Sequence, residues 1–240
     1  MEILIDAHCH FSVFPINQTM GYICNSVTES DWMPILDLAK QNKNIFPCIG
    51  IHPWHIDTRS ENWDTKLCNL LNNFPNIMIG ECGIDKTHPS FDDQIQIFAR
   101  HIQIASQFNR PIHIHCVHAW NEMFNILKNI KNLPTIVLHG FGGSPETLMQ
   151  FAKFTNVYFS FGPSILDLTR TKIQHALQIA PKNRILIESD AEIKDSQNIL
   201  MTIFNQIIKY IEIDKTQIYN NAMGILKNGQ ITQNTNAVWG

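Results

Sequence analysis

The 240-residue sequence has few charged residues and no excess of basic ones. Asp, Glu, Lys and Arg make up 16% of the chain, below the usual quarter, and the formal net charge is −3. Broad, salt-dependent binding to nucleic acid needs a basic surface, so this composition argues against it. A substrate that contains phosphate would therefore have to be held by a metal ion or by a few local donors.

The sequence also lacks the features of secreted and membrane proteins. It has no signal-peptide pattern and no stretch of 18 apolar residues, so we expect a cytoplasmic protein that does not span a membrane. None of its six cysteines forms a C-x-x-C pair. Five of them lie in apolar, strand-like stretches, and we expect reduced thiols that pack as small hydrophobic groups.

Short apolar stretches alternate with amphipathic helical patterns along the whole chain. No linker divides them, so we expect one domain over residues 1–240. The predicted strands are 3–8, 21–27, 46–51, 77–82, 111–116, 135–139, 157–161 and 185–190. The predicted helices are 30–41, 60–73, 91–108, 119–130, 144–154, 167–180, 196–211 and 214–227, and residues 11–20 are expected to form a loop. Eight such units favour an α/β fold, a (β/α)8 TIM-type barrel, over an open doubly wound sheet.

The stretch Asp6-Ala7-His8-Cys9-His10 ends the first predicted strand. Alternate side chains of a strand point to the same face, so His8 and His10 would project together while Cys9 faces the opposite way. Two converging neutral imidazoles can hold one divalent ion. Taken alone, the short motif is explained slightly better by two incidental histidines at a polar strand end.

Further side chains of metal-binding type fall at the ends of other predicted strands. Glu81 ends strand four, His115 and His139 end strands five and six, and Asp190 ends strand eight. The carboxyl ends of barrel strands meet at one mouth, where the catalytic groups of such barrels lie. The six residues share one position, the carboxyl end of a predicted strand. This favours a pair of adjacent metal sites with a bridging carboxylate over six unrelated structural roles. The expected metal ligands are His8, His10, Glu81, His115, His139 and Asp190.

Several neighbours of these residues are less suited to bind metal. Cys9, Cys82 and Cys116 each directly follow a proposed ligand. Because neighbouring side chains of a strand point to opposite faces, their thiols should face away from the barrel interior. His113 should face inward one layer deeper than His115. It could be a ligand or a partner of one, but an interior histidine with satisfied hydrogen bonds is favoured.

Three more stretches lie at the same predicted mouth. His52, in the segment G-I-H-P-W-H, could donate to a substrate oxygen or be a plain loop histidine. Asp85 could orient a ligand, bind substrate or cap its own loop. The turn at 140–144 could receive a phosphate on the N–H groups of Gly142 and Gly143, although a tight strand-to-helix turn explains these glycines nearly as well.

These motifs together resemble the TatD-like metal-dependent deoxyribonuclease family of the amidohydrolase superfamily. The matching segments are D-A-H-C-H (6–10), G-I-H-P-W-H (50–55), G-E-C-G-I-D (80–85), P-I-H-I-H (111–115), H-G-F-G-G-S (139–144) and I-E-S-D-A (187–191). They follow in the family's order and span nearly the whole chain. The resemblance implies a barrel hydrolase that holds two divalent metal ions (Zn, Mg or Mn) and cleaves phosphodiester bonds in DNA.

The resemblance also implies how the ligands divide between the two ions. His8, His10, Glu81 and Asp190 would hold one ion, and Glu81, His115 and His139 the other. Ions placed in this way would polarise a phosphoryl oxygen and lower the pKa of a shared water. Asp190 would orient that water and accept its proton, so Asp190 and Glu81 are the expected catalytic residues.

Two segments depart from the family's usual pattern. Where the family usually carries an arginine, two residues after the strand-five histidine, this chain has Val117. After Asp190 the chain enters a helical pattern quickly, without the family's usual proline and long loop. Because both changes affect substrate-holding parts, we expect DNA ends or short oligonucleotides as substrate in preference to long duplexes. Arg59, Lys86 or His118 could replace the missing arginine, although plain surface positions are favoured for the first two.

Three other functions fit parts of the sequence. An amidohydrolase with the same metals would cleave a C–N or ester bond of a small molecule, and a substrate panel would distinguish it. A PHP-type phosphoesterase barrel also opens with H-x-H, but no S-D-G-like turn follows His10 here. A catalytically idle barrel that serves as a binding subunit would have lost ligands, whereas all six candidate positions are occupied.

Overall fold

The computed structural model describes residues 4–11 and 16–228, and it confirms the (β/α)8 barrel. Eight parallel strands pair in chain order: β1 Ile5–His10, β2 Gly21–Asn25, β3 Ile45–Ile49, β4 Met78–Asp85, β5 Ile112–Val117, β6 Ile136–Leu138, β7 Val157–Phe161 and β8 Ile185–Ile187. The α-helices are α1 Trp32–Gln41, α2 Trp63–Asn73, α3 Phe91–Phe108, α4 Trp120–Leu127, α5 Pro145–Phe151, α6 Thr171–Ile179, α7 Ile193–Ile207 and α8 Lys215–Asn228. Each overlaps its predicted counterpart, with ends shifted by a few residues. Part of the predicted loop, residues 12–15, lies outside the described residues.

The chain beyond β8 runs alongside β1 and brings the two edges of the sheet together. The N–H of Asp190 donates to the carbonyl of His8 at 3.0 Å, and the N–H of His10 donates to the carbonyl of Ala191 at 2.9 Å. These bonds satisfy backbone groups that an open edge would expose. The carboxyl ends of all eight strands therefore surround one mouth.

A buried carboxylate reinforces this junction from the helix side. Asp6 accepts hydrogen bonds from the N–H of Ser189 at 2.9 Å and from the hydroxyl of Ser196 on α7. Burial raises the pKa of Asp6 to about 7, against the lowering effect of the hydrogen bonds from both serines. The first strand, the segment after the last strand and α7 thus share one polar contact.

Side chains of the strands alternate between two apolar cores. The inner core lies inside the barrel and includes Ile5, Ala7, Ile23, Cys48, Met78, Val137 and Leu186, together with Ala222, Ile225 and Leu226 of α8. The amide of Asn221 donates to the carbonyls of Lys182 and Ile185 at 2.8 Å, which holds α8 at the amino-terminal end of the barrel. No helix in the described ranges is both long and apolar enough to cross a membrane.

The outer core lies between the sheet and its helices. It contains Cys9 and Cys82, and Cys116 packs against it. This confirms the prediction that the three thiols face away from the barrel interior. All six cysteines are free thiols, as expected from their spacing.

Candidate metal centre

A β-bulge in β1 aims two histidines into the mouth. The register of β1 against β2 shifts between Asp6 and Cys9, where β1 carries one extra residue. An extra residue reverses the alternation of side chains beyond it. Ile5 packs in the inner core, so strict alternation from Ile5 would turn His8 and His10 toward the helices. The bulge turns both imidazoles inward instead.

A second bulge does the same for the central carboxylate. The register of β4 against β5 shifts between Ile79 and Cys82. Met78 faces the inner core, and Ile79 and Cys82 belong to the outer one. Glu81 lies within the shift, and the extra residue lets it face inward three positions after Met78.

A glycine lets β4 approach β5 closely at the same height. A Cβ atom at Gly83 would lie 1.9 Å from the carbonyl oxygen of His115, so no larger residue fits there. The close approach places Glu81 beside His115, with Oε1 3.0 Å from Nδ1.

The carboxylate of Glu81 lies at the centre of the candidate site. Its Oε2 atom is 3.2 Å from His8 Nε2 and 3.9 Å from His10 Nε2. Its Oε1 atom is 2.7 Å from His139 Nε2 and 3.0 Å from His115 Nδ1. Oε2 thus faces His8 and His10, while Oε1 faces His115 and His139 and also His52. This is the arrangement of a carboxylate able to bridge two cations.

Asp190 completes the side of the site formed by the first strand. Its Oδ1 atom lies 3.4 Å from His10 Nε2 and 3.9 Å from His8 Nε2. Burial raises the pKa of Asp190, but His10, His139 and His8 outweigh that effect and lower the pKa to about 2. The carboxylate is therefore ionised, and 44% of its side chain is exposed at the mouth.

Glu81 is also held in its ionised form. It is buried, and burial raises its pKa, but the neighbouring His139, His8 and His115 outweigh this and hold the pKa well below its usual range. Burial lowers the pKa of His8, which favours the neutral imidazole. An ionised carboxylate and a neutral imidazole are the forms that bind metal.

Oxygen acceptors lie behind three of the four histidines. His10 Nδ1 is hydrogen-bonded to the carbonyl of Asn25 at 3.3 Å, and His139 Nδ1 to Glu188 Oε1 at 3.3 Å. His115 Nε2 lies 3.5 Å from Asp85 Oδ2 without forming a hydrogen bond to it. An acceptor on one ring nitrogen keeps the proton there and leaves the lone pair of the other nitrogen free. In His10 and His139 the opposite nitrogen, Nε2, faces Glu81 and would bind a divalent cation in exchange for any proton it carries, so the donor set fits divalent cations.

Comparison with known proteins decides the family. The chain matches the sequence model of the family described as TatD related DNase over residues 5–222. The chain belongs to the TatD family. This confirms the resemblance predicted from the motifs, and with it the expectation of a hydrolytic enzyme.

Individual relatives agree with this assignment. An uncharacterized metal-dependent hydrolase of Buchnera aphidicola is 29% identical in an alignment of length 210, and the match covers 78% of this chain and 77% of that protein. The human deoxyribonuclease TATDN3 is 25% identical in an alignment of length 218, and that match also covers 78% of this chain and 77% of that protein. The crystal structure of the Escherichia coli TatD homologue YJJV superposes with a TM-score of 0.81, with 20% identity, and covers 95% of this chain and 96% of that one. At that identity the superposition shows the shared fold.

Glu188 is a site residue of this TatD-family chain that the sequence interpretation missed. It is fully buried, and it forms a group of metal-binding type with His8 and His139. The sequence signal that could have identified Glu188 is its position two residues before Asp190, because alternate residues of a strand point to the same face. Its Oε1 atom also accepts a hydrogen bond from the N–H of Gly140, which fixes the turn after His139.

Asp85 lies behind His115 and is itself held firmly. Its Oδ2 atom accepts a hydrogen bond from the indole N–H of Trp54 at 2.7 Å, and its Oδ1 atom accepts from Thr87. Burial raises the pKa of Asp85, but the hydrogen bonds from Thr87 and Trp54 outweigh it and lower the pKa to about 2. Of the roles expected for Asp85, the hydrogen bonds from Thr87 confirm the cap of its own loop, and the orientation of His115 stays a prediction.

His52 lies beside Glu81 at the centre of the site, which argues against a plain loop histidine. Its Nε2 atom is 3.3 Å from Glu81 Oε1, and it groups with Glu81 and His115. Its Nδ1 atom accepts a hydrogen bond from the backbone N–H of Trp54 at 3.2 Å. Nε2 of the neutral ring must then carry the proton, so His52 presents an N–H donor, not a metal-binding lone pair, to the mouth.

Gly142 and Gly143 lie beside the centre, in what we call the side cleft. This cleft has a volume of about 550 Å³. Its walls are formed by the end of β5 and by residues that follow β5, β6 and β7, namely Cys116, Val117, His118, Trp120, Gly140, Gly142, Gly143, Ser144, Thr147, Arg170, Lys172 and Ile173.

Two cations expected to replace the family's arginine have local partners. Lys86 Nζ lies 2.6 Å from Glu122 Oε1, and the guanidinium of Arg59 donates to the carbonyl of Ile56. His118, the third expected replacement, is exposed and lines the side cleft.

His113 faces the barrel interior as predicted, but its hydrogen bonds are not satisfied. Neither ring nitrogen has a hydrogen-bond partner within the described part of the chain, and the ring centre lies 6.1 Å from that of His8. Burial, followed by the nearby His8 and His139, lowers the pKa of His113 well below 6.5. The expectation of a satisfied interior histidine was therefore wrong, because no polar group from a neighbouring strand reaches the ring.

Proposed function

We infer that this chain is a two-metal phosphodiesterase that hydrolyses DNA at chain ends or in short oligonucleotides. The observation that carries this proposal is the division of Glu81, which turns one oxygen toward His8 and His10 and the other toward His115 and His139. Asp190 supplies the further carboxylate on the first side. A set rich in imidazole suits Zn²⁺ better than Mg²⁺, with Mn²⁺ between them.

Two divalent ions, when bound, supply Lewis-acid activation of a phosphoryl oxygen and of the attacking water. The protein's own groups do the remaining work. Asp190, ionised and half exposed, accepts a proton from the attacking water as the new P–O bond forms. The P–O bond to the leaving nucleoside breaks, and its oxygen takes up a proton by way of solvent. His52 donates its Nε2–H to a phosphoryl oxygen whose negative charge grows in the transition state. Glu188 holds the ring of His139 in place through its hydrogen bond to Nδ1, and the ionised Asp85 lies 3.5 Å behind His115 Nε2.

The relatives and the sequence support the choice of substrate. The human relative is named a deoxyribonuclease and the Buchnera relative a metal-dependent hydrolase, which favours DNA over other diesters. Val117 in place of the family's usual arginine, and a net charge of −3, favour ends or short strands over long duplexes. Six free cysteines support a reducing, cytoplasmic location.

A substrate panel tests the reaction class. The purified protein, stripped with a chelator and reloaded with Zn²⁺, Mn²⁺ or Mg²⁺, would be assayed on a single-stranded oligonucleotide, bis(p-nitrophenyl) phosphate, and small amides and esters. We expect hydrolysis of the two phosphodiesters and no turnover of the amides. The reverse result would favour the amidohydrolase, and no turnover on any substrate would favour a binding subunit.

A second assay tests the preference for ends and short strands. Oligonucleotides with free or blocked termini would be compared with a circular plasmid across a salt series. Free ends should be cleaved fastest, with a shallow dependence on salt because few phosphates are contacted. Efficient degradation of the plasmid with a steep salt dependence would contradict the proposed substrate.

A further inference from the structure

The side cleft opens directly beside the metal centre, yet the chemistry at Glu81 does not use it. Val117 lines the cleft two residues after His115, and Gly140 lines it one residue after His139. The cleft therefore begins at the same strand ends that carry the candidate ligands. Its volume of about 550 Å³ is that of a binding pocket for one or two nucleotides, and it is too small for a duplex.

The residue before α6 and the first turn of α6 bring two cations to this cleft. Arg170 and Lys172 line it and are exposed. Lys172 makes no ion pair within the part of the chain that the structure describes. Arg170 Nε lies 3.4 Å from Asp167 Oδ2, but both side chains are about half exposed, so that pair is weak. The other N–H groups of the guanidinium remain free to bind an anion.

The wall formed by the turn after β6 offers backbone donors. The N–H groups of Gly142 and Gly143 make no hydrogen bond to any residue in the described ranges. A Cβ atom at Gly143 would lie 2.6 Å from the ring of Phe141, so a larger residue there would displace this buried ring. Trp120, partly exposed and packed on Phe141 at 5.1 Å, adds an aromatic surface to the cleft.

We propose that the side cleft binds the phosphodiester chain of a single-stranded nucleic acid next to the scissile bond. Arg170 and Lys172 contact its phosphates, the N–H groups of Gly142 and Gly143 bind a phosphate oxygen, and a base packs on Trp120. This inference rests on the proposed function and deepens it by naming the groups that hold the substrate. It accounts for the loss of the family's usual arginine at Val117, because two cations that follow β7 serve the same cleft.

The double variant Arg170→Gln/Lys172→Gln tests this inference. Neither side chain caps a helix or lies in the core, so the fold should be unchanged. For a single-stranded octanucleotide, KM should rise roughly tenfold while kcat holds, since exposed charge-assisted contacts are lost. The slope of log(kcat/KM) against log[salt] should become shallower by about 1.4, or about 0.7 for each lost phosphate contact. Hydrolysis of bis(p-nitrophenyl) phosphate, which is too small to fill the cleft, should stay within about twofold.

A matched control removes the same charge at the other end of the barrel. Lys128 and Lys182 are exposed and precede β6 and β8, at the amino-terminal ends of the strands. Lys128→Gln/Lys182→Gln should leave KM and the salt slope for the octanucleotide unchanged. An equal effect of both double variants would show a general charge effect and overturn the assignment of the cleft.

Binding measurements separate this inference from the proposed function. Fluorescence anisotropy of a labelled octanucleotide, with chelator present, reports the cleft without catalysis. If the wild type hydrolyses no diester but binds the octanucleotide, and the Arg170/Lys172 variant does not bind it, the proposed function fails and the cleft assignment stands. Unchanged binding of the octanucleotide by that variant would overturn the assignment. The assignment would also fail if inorganic phosphate competed with the labelled octanucleotide for the wild type with equal affinity.

Discussion

His139 lies between two carboxylates inside the barrel. Its Nδ1 atom is 3.3 Å from Glu188 Oε1, and its Nε2 atom is 2.7 Å from Glu81 Oε1. Burial alone would lower the pKa of His139, but Glu81 and Glu188 outweigh it and raise the pKa well above 6.5. Glu188 therefore fixes the ring through Nδ1, while Glu81 lies on the Nε2 side, where we place a cation.

The contact behind His139 predicts the effect of Glu188→Gln. The amide keeps the size of the side chain but loses the charge that holds the Nδ1 proton. Metal affinity should fall about 10- to 100-fold, measured by competition with a chelator, while the fold remains intact. Glu212→Gln, a substitution at an exposed position far along the chain, is the control. Unchanged affinity in Glu188→Gln would show that this carboxylate does not support the centre.

Asp190→Asn should affect turnover far more than substrate affinity. The amide can still lie near His10 but cannot accept a proton, so kcat on an oligonucleotide should fall by about 10²- to 10⁴-fold with little change in KM. Steady-state kinetics with metal-saturated protein measure both constants. A change in KM alone would move Asp190 from catalysis to substrate binding.

His52→Phe distinguishes a hydrogen-bond donor from a metal ligand. Because Nδ1 accepts from the backbone of Trp54, the Nε2–H points at the mouth, and its loss should lower kcat by about 10²-fold. The number of bound ions should stay the same by elemental analysis. Loss of one ion from the variant would instead make His52 a ligand.

His101, away from the mouth on α3, predicts the acid stability of the protein. It is buried, with Nδ1 2.8 Å from the carbonyl of Ile97, and burial lowers its pKa to about 4. The unfolded chain takes up the proton near pH 6.5 and the folded chain only near pH 4, so stability falls as pH drops between these values. The loss from this residue is roughly 3 kcal/mol.

Denaturant unfolding of metal-free protein at pH 7 and pH 4 measures this contribution. The variant His101→Phe should lose roughly 3 kcal/mol less than the wild type over that range. His175→Phe, at an exposed position on α6, should behave like the wild type. Equal losses in all three proteins would mean that His101 is not held neutral by burial.

The barrel and the ligand set could be predicted because their signals are local. Strand and helix periods are read within a few residues, and the polar positions follow each strand directly. The two bulges could not be predicted, since they exist only in the pairing of β1 with β2 and of β4 with β5. Without them, the alternation from Ile5 or from Met78 would place His8 or Glu81 on the wrong face.

The side cleft could not be predicted from the sequence, for a different reason. Arg170 and Lys172 begin an amphipathic helix, where exposed charges are ordinary. Only the folded barrel shows that they lie across from the glycine turn after β6. The sequence also could not show that Lys86 is paired with Glu122, because these residues are far apart in the chain.

Metal reconstitution of wild type and Glu81→Ala tests the central claim most directly. Protein stripped with a chelator would be titrated with Zn²⁺ while hydrolysis of a single-stranded oligonucleotide and bound metal are both followed. We predict that the wild-type rate reaches its plateau at two ions per chain. Folded Glu81→Ala should hold fewer ions and lose several orders of magnitude in rate. A full hydrolysis rate in the stripped protein before Zn²⁺ is added, or near-normal turnover by Glu81→Ala, would contradict a centre built around this carboxylate.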